Sequence, residues 1–282
     1  MWESSRFTFH VSRRPIKPGS YDSMDLLVDY HIHTTFSCDA HDTLDAMCRR
    51  AIEVGLQEIA FTEHADFEHL DSCYRYLQPA AYFEAVETAR RRYGDRLTIR
   101  AGVEVGEPHR YPDETADLLS AYPFDFVIGS LHWVVGRPTF RPEFFDGRPA
   151  EVAWRAYFDE LVRLCQAGDF DVLAHLDLPK RHTTFNPTPY ADLIRAALQS
   201  LIDRGKGIEI NCSGLRYPVG EPLPGPMVVR LYRELGGEVL IVGTDAHRTS
   251  HLGEGIARGL EMAREAGFET ITLFAERQPV RT

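Results

Sequence analysis

Leu26-Leu27-Val28-Asp29-Tyr30-His31-Ile32-His33, near the start of the chain, and Glu238-Val239-Leu240-Ile241-Val242-Gly243-Thr244-Asp245-Ala246-His247, near its end, decide the fold between them. Each is an apolar run that reads as a buried strand and finishes in imidazoles and carboxylates. In a strand, residues two apart face the same side. Asp29, His31 and His33 therefore share a face, and so do Asp245 and His247. Such residues gathered at strand ends suit a borderline transition metal.

The same event recurs between these two stretches. Gln57–Thr62 leads into Glu63-His64, Leu97–Val103 into Glu104, Phe124–Ser130 into Leu131-His132, and Phe170–Ala174 into His175. Gly207–Ile210 leads into Asn211 and Ser213, with Arg216 beyond. With the first and last, seven strands are predicted, six of them ending in a His, Asp or Glu. A single histidine at a strand end is ordinarily a hydrogen-bonded histidine and no more. His10, His41, His69, His109, His182 and His251 are read that way, with His41 kept open because it lies near the cluster. The recurrence, strand after strand, is what points to a metal centre.

Amphipathic stretches of helical period separate the strands, near 43–55, 79–94, 113–121, 151–168, 189–204, 226–236 and 254–266. Thr43 suits an N-cap and Gly55 the stop of the first helix; Pro189 suits a first turn and Gly205 follows that helix. Alternating strands and helices imply a parallel sheet with right-handed crossovers. A doubly wound sheet gathers its site at one switch point. Candidate residues after nearly every strand fit a closed barrel instead. Residues 1–24 read as an irregular lead-in, with 25–282 as one barrel domain, and residues 135–150 as a long loop on the site side.

Composition narrows the function classes. A chain of 282 residues with 44% hydrophobic content can bury one large core, and no run is long enough to span a bilayer. The N-terminus lacks a secretory layout. A net charge of −11 opposes general nucleic-acid binding, and Arg90-Arg91-Arg92 reads as a favourable helix end. Cys38, Cys48, Cys73, Cys165 and Cys212 are odd in number and lack CxxC spacing. They read as spectator thiols of a reducing, cytoplasmic compartment, without a disulfide frame or a four-cysteine zinc module. No phosphate-binding GxxxxGK[ST] loop, GxSxG elbow or HExxH helix is present.

Asp29-x-His31-x-His33, Thr62-Glu63-His64, Gly102-Val103-Glu104, Ser130-Leu131-His132, Ala174-His175-Leu176-Asp177 and Gly243-Thr244-Asp245-Ala246-His247, taken in order, resemble the PHP (polymerase and histidinol phosphatase) family from about residue 25 to about residue 265. The resemblance implies an α/β fold, a distorted (β/α)7 TIM-like barrel, with three divalent transition-metal ions (Zn, Fe or Mn) and phosphoesterase activity. It places His31, His33, Glu104 and Asp245 on the first metal, Glu104, His132 and His175 on the second, and Asp39, His64 and His247 on the third. Glu104 would bridge two ions, and His41 is the alternative to Asp39. Asp29 would orient a histidine rather than bind metal.

Within the family the chain is most similar to the histidinol-phosphatase branch, through His175–Arg181 and Glu209–Arg216. That branch places an arginine after each of these strands for the substrate phosphate, and Arg181 and Arg216 match. The implied activity is hydrolysis of L-histidinol phosphate in histidine biosynthesis, with Glu104, Asp245, Arg181 and Arg216 as the catalytic set. Alternatives are a phosphoesterase for a nucleotide or other small phosphorylated substrate, and a non-catalytic module of a polymerase. The full ligand set disfavours the last. A small phosphorylated substrate is expected as partner, without nucleic acid or membrane; oligomeric state stays open.

Overall fold

The computed structural model describes residues 26–280. His10 and the whole of the expected lead-in at 1–24 lie outside them. Seven parallel strands form one sheet in chain order: β1 (Val28–Ile32), β2 (Glu58–Ala65), β3 (Thr98–Gly106), β4 (Phe126–Ser130), β5 (Val172–Leu173), β6 (Gly207–Asn211) and β7 (Leu240–Gly243). A parallel bridge between Ile32 and Ala246 joins the last strand's end to the first. It is supported by His33 N–H donating to Ala246 O at 2.9 Å and Ala246 N–H to His31 O at 3.3 Å. The sheet is thereby a nearly closed barrel, as the alternation of strands and helices predicts.

Seven helices follow the strands: α1 (Leu44–Glu53), α2 (Pro79–Tyr93), α3 (Pro112–Ala121), α4 (Ala150–Ala167), α5 (Ala191–Asp203), α6 (Pro226–Glu234) and α7 (Ile256–Glu265). Each lies within about two residues of its predicted span. Their limits have local causes. The Thr43 hydroxyl accepts from Ala46 N–H at the start of α1, and Gly55 follows its end at φ +81°. Pro189 sits in a 3-10 turn (Thr188–Tyr190) that leads directly into α5. Arg90, in the last turn of α2, reaches Asp125 at 2.5 Å, so it ties the helix to the β4 edge besides meeting the helix dipole.

The barrel has two unlike ends. At the amino end of the strands, the Tyr30 and Phe126 rings meet at 5.4 Å and Phe126 and Phe274 at 4.9 Å, with Tyr30 and Phe126 fully buried. Phe274 belongs to a C-terminal hairpin, Leu273–Ala275 paired with Gln278–Val280, which the sequence reading did not anticipate. Its two turn residues, Glu276 and Arg277, carry φ +52° and +60°, as a tight hairpin turn requires. Arg277 anchors it to Asp171 and Asp169. The hairpin plugs this end, which leaves the carboxyl end open for chemistry.

The stretch 135–150 is partly ordered by pairing. Trp133–Val134 and Arg137–Pro138 form a small antiparallel ladder, and Pro142–Phe145 a 3-10 turn. It does lie on the site side. No helix among the described residues is long and apolar enough to cross a membrane.

Candidate metal centre and its cavity

Glu104 is the hub. It lies within β3, directly beside His64 of β2 in the parallel register, so both are strand residues rather than residues that follow strands. Its Oε2 lies 3.3 Å from His31 Nε2, 3.4 Å from His33 Nε2 and 3.0 Å from His64 Nδ1. Its Oε1 lies 3.3 Å from His132 Nε2 and 3.0 Å from His175 Nε2. Asp245 Oδ1 faces His31, His33 and His247 at 3.9, 3.6 and 3.4 Å. Asp39 reaches His64 at 3.6 Å and His247 at 3.3 Å. All nine candidate metal ligands are thus brought together from the ends of β1, β2, β3, β4, β5 and β7.

The donor set fits divalent ions on a structural ground. His31 Nε2, His33 Nε2, His64 Nδ1 and Glu104 Oε2 are buried and have no hydrogen-bond partner. Unpartnered buried polar atoms are costly unless something satisfies them. Several triads of these residues place their donor atoms within 4.8 Å of one another, including His31/His33/Glu104, His31/His175/Asp245 and His33/His64/His247. Electrostatics agree. Burial opposes the charge on Glu104, but His31, His64 and His132 outweigh it and hold the carboxyl well below its usual range. Burial, with His64 and His247, pushes His33 well below the usual range, towards the neutral imidazole that ligates metal.

The residues behind the donors fix their orientation, and here the structure departs from expectation. Asp29 holds no histidine ring. It accepts from Thr244 N–H at 2.9 Å, from the Thr244 hydroxyl and from Gly253 N–H at 3.2 Å, so it secures the turn after β7. Glu209 takes the role assigned to Asp29: its Oε1 pairs with His31 Nδ1 at 2.7 Å, and its Oε2 accepts from His175 N–H at 2.9 Å. Glu63 accepts from the Ser37 hydroxyl at 2.7 Å, and Ser37 Oγ lies 3.2 Å from His33 Nδ1. Asp66 Oδ1 lies 3.1 Å from His132 Nδ1. Glu63 and Asp66 flank His64, and Glu209 alternates with the apolar residues of β6. The one signal for all three is a carboxylate within an otherwise apolar strand run or at its end.

Backbone strain collects at the same place. His175 has φ +24° and Asp245 φ +54°, conformations unfavourable for residues with a Cβ. Gly243 precedes that turn because a Cβ there would stand 2.5 Å from His31 Cβ and 2.6 Å from Glu209 Oε1.

The centre opens into a cavity of about 340 Å³ lined by Asp39, Asp71, His132, Phe140, Arg181, Arg216 and Tyr217, among others. Arg181 donates to Asp245 Oδ2 at 2.5 Å and stacks on Tyr217, and its Nε has no partner. Arg216 donates to Thr244 O at 2.7 Å, and its Nη1 has no hydrogen-bond partner. Asn211 caps the 3-10 turn Cys212–Arg216 that carries Arg216 into the cavity.

The remaining histidines sort cleanly. His41 is exposed and meets Arg248 at 3.0 Å, away from the centre, while Asp39 points into it. His69 pairs with Glu68, His109 with Glu160, and His182 with Phe140 O. His251 lines the cavity, contrary to the plain reading given to it. The cysteines also depart from expectation: Cys38 and Cys73 form a disulfide, while Cys48, Cys165 and Cys212 are free and buried. β1 and β2 are parallel neighbours, so the loops beyond their carboxyl ends meet, which a sequence separation of 35 conceals.

A parallel barrel with buried imidazoles and carboxylates at the carboxyl end of its strands defines a barrel protein that uses divalent metal. A model of the PHP domain family matches residues 29–213, and the chain belongs to that family. It is 29% identical over 252 residues to a "Probable histidinol-phosphatase" of Deinococcus radiodurans, covering 87% of this chain and 96% of that one. It is 27% identical over 260 residues to the histidinol-phosphatase of Lactococcus lactis subsp. lactis, covering 88% and 94%. The crystal structure of the Lactococcus lactis histidinol phosphate phosphatase, complexed with Zn, L-histidinol and phosphate, superposes with a TM-score of 0.83 at 26% identity, covering 90% of this chain and 98% of that one.

Proposed function

We propose that this chain is a metal-dependent histidinol-phosphatase. It hydrolyses the phosphate monoester L-histidinol phosphate to L-histidinol and inorganic phosphate, a step of histidine biosynthesis. The observation that carries this is the adjacency of two features in one cavity. Glu104 turns its two carboxylate oxygens to different groups of buried imidazoles, and Arg181 and Arg216 line the same cavity, each with a guanidinium nitrogen that has no hydrogen-bond partner.

In this reading His31, His33, Glu104 and Asp245 hold one ion, Glu104, His132 and His175 a second, and Asp39, His64 and His247 a third. When bound, divalent ions supply Lewis-acid chemistry and an activated water nucleophile at neutral pH. The protein supplies the rest. Glu209, Ser37 and Asp66 hold the His31, His33 and His132 rings in the tautomer and direction that ligation needs. Arg181 and Arg216 bind the phosphate oxygens, where planar guanidinium forks meet charge that spreads over the equatorial oxygens as the ester bond breaks. Asp245 and Ser213 fix the Arg181 fork, and the strand-end carbonyls of Thr244 and Asp245 fix that of Arg216.

The test is phosphate release from L-histidinol phosphate by metal-loaded protein, beside nucleotides and sugar phosphates. A strong preference for L-histidinol phosphate supports the reading. Turnover of other esters without it keeps the metal chemistry and overturns the substrate.

A further inference from the structure

The cavity is lined by five carboxylates, Asp39, Asp66, Asp71, Glu104 and Asp245. Four of them are committed to the centre: Asp39 to His64 and His247, Asp66 to His132, Glu104 to its ring of histidines, and Asp245 to histidines and Arg181. Asp71 is different. Among the described residues it pairs with no histidine, lysine or arginine. It is only 9% exposed, and its contacts are two neutral donors: Trp133 Nε1 on Oδ2 at 2.6 Å and Cys73 N–H on Oδ1 at 2.7 Å. Two N–H donors leave each oxygen a free acceptor direction. A buried carboxylate carries its charge at a high desolvation cost unless a cation meets it.

No cation among the described residues forms an ion pair with it. Arg181 and Arg216 are tied to the β7 side of the cavity, and Arg141, which also lines the cavity, lies exposed over the Phe140 ring at 5.6 Å. The position of Asp71 relative to the centre is fixed by a short ladder of rings. Phe140 meets His132, one of the metal-binding set, at 5.9 Å and Trp133 at 6.3 Å, and the Trp133 indole N–H holds Asp71. The wall that begins at the metal centre thus ends in a carboxylate with no ion-pair partner among the described residues.

We propose that Asp71 is a specificity-determining residue, which receives the positively charged group of the substrate on the side of the cavity away from the phosphate. Trp133 is its positioning residue. This rests on the function proposed above, whose substrate carries an ammonium and an imidazole besides its phosphate. The occupant is an organic cation, joined through a short linker to a phosphate monoester. Charge-assisted hydrogen bonding in a buried site gives Asp71 its selectivity for charged over uncharged leaving alcohols.

The experiment compares kcat/KM for L-histidinol phosphate with that for glycerol phosphate, whose alcohol carries no charge, in the metal-loaded wild type and in Asp71→Asn. The variant is expected to lose at least tenfold more with L-histidinol phosphate than with glycerol phosphate, chiefly through KM. The inhibition constant of L-histidinol against glycerol phosphate turnover is expected to rise by a similar factor. Trp133→Phe keeps an aromatic ring, though a smaller one, but removes the donor, and is expected to shift the same ratio less; it also serves if Asp71→Asn does not fold. Equal losses on both substrates, or no loss on either, overturn the role of Asp71. A wild type without preference for L-histidinol phosphate overturns the parent reading instead, and is seen before any variant is made.

Discussion

Replacing Glu104 by glutamine keeps the shape of the side chain and removes its charge. One oxygen becomes an amide that cannot accept from, or share an ion with, the imidazoles facing it. The structure gives the size of the effect. Oε2 faces three imidazole nitrogens at 3.0–3.4 Å and Oε1 faces two at 3.0 and 3.3 Å, in a site 1% exposed. The ions this carboxylate would hold supply several kcal/mol of charge stabilisation. Losing about 3–6 kcal/mol of it with one oxygen corresponds to about 10²–10⁴ in turnover. The ladder of β3 is made by backbone, so the fold is expected to survive. The assay is phosphate release from L-histidinol phosphate, beside metal content by mass spectrometry and circular dichroism on the same samples. Activity within tenfold of wild type, at unchanged metal content, would refute the bridging role.

Asp39 and His41 can be separated directly: Asp39→Asn should lower both activity and metal stoichiometry, and His41→Ala should leave both near wild type. Glu209→Gln weakens the support of His31 and His175 together, and should reduce metal affinity about 10–100-fold, measured by competition with a chelator. Arg216→Ala should raise KM for phosphate esters with little change in thermal stability; unchanged kinetics would remove it from substrate binding. Glu160 is held at about 2, chiefly by the hydrogen bond from His109 and then by Arg110. Its folded value lies below the unfolded value near 4.5, so its contribution is complete above about pH 4.5 and is lost as pH falls towards 2. Glu160→Gln should therefore cost at most about 3 kcal/mol in urea unfolding at pH 7, and the gap should shrink below about pH 4.5 and close only as pH falls to about 2.

What the sequence disclosed and what it concealed follow from the range of each interaction. Strand and helix spans are local, and Thr43, Gly55 and the apolar runs stated them openly. The donors His31, His33 and His64 could be seen because a short period along a strand repeats visibly. Glu209, which orients His31, could not: the two are 178 residues apart, and a single Glu in β6 looks like any other strand residue. Asp29 was misplaced for a related reason. Sharing a strand with His31 says which side it faces, not that Thr244 and Gly253 from the opposite edge of the sheet would reach it first. The C-terminal hairpin escaped because its turn uses Glu276-Arg277 where Asn-Gly would have announced it. The Cys38–Cys73 bond needed knowledge of which loops sit over neighbouring strands.

The seam between β1 and β7 has a mechanical consequence. His31 and His33 alternate with Ile32, and Asp245 and His247 with Ala246, so the backbone bonds that zip the first strand to the last are interleaved with the donors. In the function proposed, ions held across that seam would act as a buckle on a belt. Pulling apart the two ends of the barrel would load the ion-holding side chains before any helix lost its turns. Bound ions, by favouring the buckled form, would in turn resist the opening. Ion loss should then be the earliest sign of a loosening barrel, ahead of any change in helix content.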